Sequence, residues 1–313
     1  MSRASRAAFL GGASAAVAAP HLVRAQSRTT IRMAGTNSDP FGEPLFCKAA
    51  GFFEKAGFDV DVTSLNNAGA VAGAIGGGAL EIGIGDLISG VNAILKGVPI
   101  LLLAGSGMYL TTDKIPVLGT SKDSPIQKTT DLVGKTIGVP TLVGLTTASL
   151  RAWLPQNGVE VDSVKLVETV AAAAFPSVQR GTMGAALISE PFYTPYRDQI
   201  RVLGYPMDAV AKEFCQSVWY GNKAWIEADR ERARRVLGAI YETSKWCNSH
   251  REDTFNVLVR DAHFDGEKLK GMIRTTYLAT PVTPGLVQPV LNVGYQTKIF
   301  DRQLDANTII AKV

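Results

Sequence analysis

The chain has 313 residues, 19% of them charged, with 32 Lys+Arg against 28 Asp+Glu and a formal net charge of +4. Three of the basic residues (Arg3, Arg6, Arg24) and none of the acids fall in the first 25 positions, so the remainder carries only +1. That balance argues against a nucleic-acid surface, and the remaining 288 residues can bury a large core as one big or two medium domains.

Residues 1–25, MSRASRAAFLGGASAAVAAPHLVRA, have the three parts of a secretory signal. Arg3 and Arg6 give a positive start, Ala7 to Pro20 a weakly apolar middle, and Val23-Arg24-Ala25 a small-residue cleavage site. The 14-residue apolar stretch is too short to span a bilayer. SRAAFL at 5–10 resembles the twin-arginine export motif, but Ala7 stands where its second arginine belongs, so the Tat and Sec routes both stay open. The first cysteine is Cys47, far from Ala25, which tells against a lipoprotein anchor. The expectation is a periplasmic protein cleaved near Ala25.

Thr30 to Ala34 then reads as a strand, and EPLFCKAAGFFEKAG as a helix with Leu45, Phe46, Ala49, Phe52 and Phe53 at helical spacing. FDVDV alternates as a half-buried strand. A small-residue helix (68–77), a strand (81–85), a helix (86–96) and a buried strand (99–104) follow. After a polar linker over 111–129 the alternation restarts. GKTIGVP, SVKLVETV, MGAALI and IRVLG are the strands, and TTASLRAWLPQNG and AAAAFPSVQRG the helices. From Val218 the chain turns into a long amphipathic helix and continues mainly helical. Strand–helix alternation with short loops indicates α/β architecture with parallel sheets covered on both faces. The two blocks also echo each other. GALEIGIGD (78–86) aligns with GTMGAALIS (181–189), and each strand ends beside a carboxylate, Asp86 or Glu190.

No catalytic signature emerges. GKT at 134–136 lacks the phosphate-loop glycine at Thr129 and precedes a strand, and Gly83-Ile84-Gly85 lacks a third dinucleotide-fingerprint glycine. Cys47, Cys215 and Cys247 have no metal-ligand spacing; they are three separate thiols or one disulfide and a leftover. Only His250 and His263 remain once the signal leaves with His21, so neither a metal nor a cofactor is expected. The informative positions are loops at strand C-terminal ends, where open α/β sheets bind ligands. They supply the polar candidates Asp39, Asn67, Asp86, Thr146, Thr147 and Glu190, with Phe41, Tyr109 and Phe192 as an aromatic wall. Each also has a structural reading: Thr146 and Asp86 suit helix N-caps, and the aromatics suit the core.

GALEIGIGDLISGVNAILKGVPILLLAG, DLVGKTIGVPTLVGLTTASLRAWLPQNGVEVDSVKLVE and GTMGAALISEPF resemble, in order and spacing, the signatures of substrate-binding proteins of nitrate, sulfonate, taurine and thiamine-precursor ABC importers. The resemblance runs from about Ile31 to Glu252, with Glu81 and Gly184 standing where that family usually has aspartate. It implies a two-lobed periplasmic binding protein fold of type II, each lobe a mostly parallel sheet flanked by helices, joined by two hinge crossovers. Lobe one would be 28–113 plus 216–313 and lobe two 114–215. It further implies a monomer that closes on a small-molecule solute and docks on an inner-membrane ABC permease. The candidate loops hold carboxylates but no Lys or Arg, which favours an amino sulfonate or nitrogen heterocycle over a bare anion. Two alternatives accompany this reading. One is a thiamine-pyrimidine-synthase-like enzyme, disfavoured by the export signal and by a missing cysteine-rich motif. The other is a periplasmic sensor subunit. A transcription factor is disfavoured because no helix-turn-helix precedes Ile31.

Overall fold

The computed structural model describes residues 28–311; the expected export signal lies outside them. The first block runs β1 (Thr29–Gly35), α1 (Glu43–Ala50), α2 (Phe52–Lys55), β2 (Phe58–Ser64), α3 (Ala68–Gly76), β3 (Ile82–Asp86), α4 (Leu87–Leu95) and β4 (Ile100–Gly105). The single helix expected over 43–57 is two, because Gly51 takes φ +73 and ends α1 in a left-handed turn. Two short strands follow, β5 (Met108–Leu110) and β6 (Val117–Ser121). The second block runs β7 (Thr136–Val139), α5 (Leu145–Gln156), β8 (Lys165–Glu168), α6 (Ala171–Gln179), β9 (Ala185–Ile188) and β10 (Ile200–Gly204). Then come β11 (Glu213–Cys215), β12 (Ser217–Asn222), α7 (Lys223–Ala228), α8 (Arg230–Ser249), α9 (Arg251–Asp261), α10 (Pro284–Gln296) and α11 (Ala306–Ile309).

Two five-stranded sheets result, in the orders β2-β1-β3-β12-β4 and β8-β7-β9-β6-β10. In each, four strands run one way, and the fifth, β12 or β6, is inserted antiparallel between the third and the last. The inserted strand always comes from the far side of a crossover: β6 follows the first block, and β12 follows the second. Both were missed in sequence, β6 inside the supposed linker and β12 in the lead-in to the long helix. The echo between 78–86 and 181–189 does fall on equivalent strands, since β3 and β9 each hold third place and each pair with the inserted strand.

Alternation explains how the inserted strands bind their lobes. Trp219 faces one side of the first sheet, among Met33, Phe53, Phe58 and Ile240, while Tyr220 faces the other, among Val71, Ile75 and Leu87. Leu118 and Val117 split likewise between the two faces of the second sheet. Tyr220 also needs Gly90 on α4, since a Cβ there would lie 1.9 Å from its ring. The crossing segments pair as the antiparallel ribbon β5–β11, where Tyr109 stacks on Phe214 at 5.0 Å. Asp208, just past β10, accepts hydrogen bonds from the Tyr109 hydroxyl (2.6 Å) and Thr111, and pairs with Lys114. The lobes also share apolar contact: Leu145 and Ala148 of α5 belong to the cluster that includes Leu87 on α4 and Val287 and Val290 on α10. All three cysteines are buried and free. Among the described residues no helix is long and apolar enough to cross a membrane.

Candidate binding cleft

The C-terminal ends of the two sheets face each other, and the loops leaving them meet. Asp86 closes β3 and caps α4, accepting the Ser89 N–H at 2.9 Å and the Ser89 hydroxyl at 2.5 Å. The same Oδ1 accepts the Leu145 N–H at 2.9 Å, the first amide of α5 in the opposite lobe. One carboxylate thus serves two helix N-termini, both of which carry orphan donors and a partial positive charge. Ser89 adds a second cross-lobe bond from its hydroxyl to the Val143 carbonyl, 3.0 Å. Burial pushes the Asp86 carboxyl up, against the pull of the hydrogen bonds from Ser89 and Leu145. Thr146 is half-buried on the first turn of α5, and buried Thr147 donates to the Thr141 carbonyl at 2.5 Å.

Asp39 and Glu190 meet on the other side, through the segment 273–275. Asp39 is fully buried; it accepts Arg274 Nε at 2.9 Å and the Thr275 N–H at 2.5 Å. Arg274 also donates to the Arg251 carbonyl and to Thr254. Glu190, 1% exposed, accepts the Thr194 N–H (3.1 Å) and hydroxyl (2.6 Å) in its own lobe and the Ile273 N–H (3.2 Å) across the cleft. Burial raises its carboxyl too, with the nearby Asp39 charge adding to the effect. Phe192 packs edge-on against Phe264 of the opposite lobe at 5.8 Å.

The remaining candidates are placed differently. Tyr109 is 1% exposed in the hinge ribbon, its ring committed to Phe214 and its hydroxyl to Asp208. Phe41 is half-buried and packs on the core of the first sheet. Exposed Asn67 caps α3, accepting the Ala70 N–H at 2.9 Å. Near it Ser64 donates to Asn37 at 2.6 Å. Opposite in character is the second lobe's rim, where Leu142, Val143 and Val170 are all exposed. Glu168 ties that rim together, accepting the Leu142 N–H at 2.7 Å and the Thr141 hydroxyl at 3.2 Å.

Sequence reasoning missed two groups. Arg274 supplies a cation to Asp39 from 235 residues away, so this carboxylate is compensated although its own loop has no base. Glu43, at the start of α1, is fully buried and accepts Ser106, Trp219 and Ser244. Glu81 is structural: it pairs with Arg32 at 2.5 Å and accepts the Arg32 backbone N–H. Among the described residues no three His, Cys, Asp or Glu side chains gather closely enough to hold a metal ion.

Solved structures with the same fold are numerous. The alkanesulfonate-binding protein SsuA from Xanthomonas axonopodis pv. citri, bound to MOPS, superposes with a TM-score of 0.75 at 13% identity, covering 92% of this chain and 100% of its own. The periplasmic aliphatic sulphonate binding protein SsuA from Escherichia coli gives 0.73 at 18% identity, covering 91% and 93%. The desulfurization enzyme DszB gives 0.65 at 15%, covering 91% and 96%, so the fold serves both binding proteins and an enzyme. No curated protein matches the sequence. The family model described as NMT1/THI5 like matches residues 44–254, well over half of the chain. This protein belongs to the NMT1/THI5-like family.

Proposed function

We propose that this protein is the exported solute-binding component of an ABC importer, with lobe one formed by 28–113 plus 216–313 and lobe two by 114–215. Its solute is a small organic molecule bearing N–H groups, an amino sulfonate or a nitrogen heterocycle, held between the lobes and handed to a permease after hinge closure. The observation that carries the reading is the meeting of two equivalent sheets at their C-terminal ends, with buried Asp39, Asp86 and Glu190 at the seam. Once the lobes part and the Leu145 and Ile273 bonds open, Asp86 and Glu190 can accept from a solute's N–H groups, whereas a bare oxyanion would face carboxylates. Arg274 is already bound to Asp39, the Arg251 carbonyl and Thr254, which limits what it offers a second anion. One solved protein of this fold, an alkanesulfonate-binding protein, is bound to MOPS, a sulfonate with a tertiary amine.

The thiols support a binder over a cysteine enzyme. Burial pushes Cys215 up to about 12 and raises Cys47 and Cys247 as well, so none offers a ready thiolate. A thermal-shift screen of amino sulfonates, pyrimidines and inorganic oxyanions tests the reading. A true solute at 100 times its Kd adds about 2.7 kcal/mol of stability. Stabilisation by nitrate or sulfate alone would overturn the proposed solute class.

A further inference from the structure

We infer that Asp86 and Glu190 form a pair of cross-cleft latches, one from each lobe, that hold the two lobes against each other. The two carboxylates stand near the ends of corresponding strands, one residue apart in the alignment of 78–86 with 181–189. Asp86 is the last residue of β3, and Glu190 follows the end of β9 by two residues. These strands occupy the same third position in sheets of identical order. Each side chain is buried, and each accepts a main-chain N–H from the other lobe, Leu145 at 2.9 Å and Ile273 at 3.2 Å. Their targets differ: Leu145 opens the helix after β7, whereas Ile273 lies in the irregular stretch between α9 and α10, two residues before Thr275, which Asp39 binds.

The geometry separates this role from ordinary capping. Asp86 already satisfies its own helix through Ser89, and Glu190 its own turn through Thr194. The bonds to Leu145 and Ile273 are therefore additional, and they exist only while the lobes touch. A carboxylate bound to a backbone N–H is a charge-assisted bond, stronger than a neutral one. Both sit where little water competes for them. The inference rests on the two-lobe reading but not on which solute the cleft takes.

Amide hydrogen exchange on solute-free protein tests it, comparing wild type with Asp86→Asn, Glu190→Gln and the double variant. The expected result is exchange roughly 10-fold or more faster at Leu145 in D86N and at Ile273 in E190Q, since each loses its charged acceptor. Ile84, inside β3, reports intact folding and should keep wild-type protection. Small-angle scattering should show a larger radius of gyration for the double variant. Asn67→Ala is the control, because Asn67 caps only its own helix; it should leave Leu145, Ile273 and the radius unchanged. Unchanged exchange at both amides, or equal expansion in N67A, overturns the inference. Failure to find any solute would leave these outcomes readable.

Discussion

Glu43 gives this protein a stability that should fall as pH rises from mildly acidic to neutral. Its carboxylate is fully buried and accepts the Ser106 hydroxyl (2.7 Å), the Trp219 indole N–H (2.8 Å) and the Ser244 hydroxyl (2.5 Å), with no basic partner among the described residues. Burial pushes its pKa up from 4.5 to about 7, with the three hydrogen bonds pulling the other way. Between those values the folded chain keeps a proton that the unfolded chain releases, so stability is full below 4.5 and declines as pH climbs toward 7. At 1.36 kcal/mol per pKa unit, the loss across the window is about 3 kcal/mol. Glu43→Gln removes the ionisation but keeps the contacts: its carbonyl can accept Ser106 and Trp219, and its amide can donate to Ser244. Urea unfolding followed by tryptophan fluorescence from pH 4.5 to 8 should show the two proteins within ~1 kcal/mol at the acid end. They should then diverge, with E43Q the more stable at pH 8. Asp86 and Glu190, also raised, bend both curves alike and cancel in the difference. Parallel curves for wild type and E43Q would refute the reasoning.

Three further outcomes follow from the packing. Asp39→Ala or Arg274→Ala strands one partner of a buried ion pair and should cost about 3–5 kcal/mol in denaturant unfolding, with the double variant costing less than the sum. Gly90→Ala drives a Cβ into the Tyr220 ring and should cost roughly 1–3 kcal/mol, whereas G73A on α3, with open space around it, should be neutral or mildly stabilising. The native protein should resist thiol reagents, and denaturation without reductant should release three reactive thiols; release of one would mean a disulfide.

Much of this architecture is written locally. Period-two strands, helices stopped at glycine, and the repeated helix–Gly–strand unit placed most elements and exposed the equivalence of β3 and β9. The two inserted strands escaped because they break the strand–helix alternation that found the others. VLGTS sits among lysines, prolines and serines, and SVWYGN runs straight into a helix, so neither has flanking signals of its own. Both depend on strands far along the chain, which no local pattern reports. The site divides in the same way. Asp86 and Glu190 were visible as carboxylates at strand ends, but their reach to Leu145 and Ile273 depends on how the lobes meet. Arg274 lies in an irregular stretch with no periodicity, and Glu43 reads as a routine acidic residue in the first turn of a helix.

The central claim, that solute binds between the lobes, is tested most directly by amide exchange with and without the best ligand from the thermal-shift screen. Bound solute should protect loops from both lobes together: 37–41 and 66–67 from the first sheet, and 141–147 and 189–193 from the second. Protection confined to one lobe, or to the surface groove lined by Arg251, Phe255, Lys270 and Met272, would contradict the account.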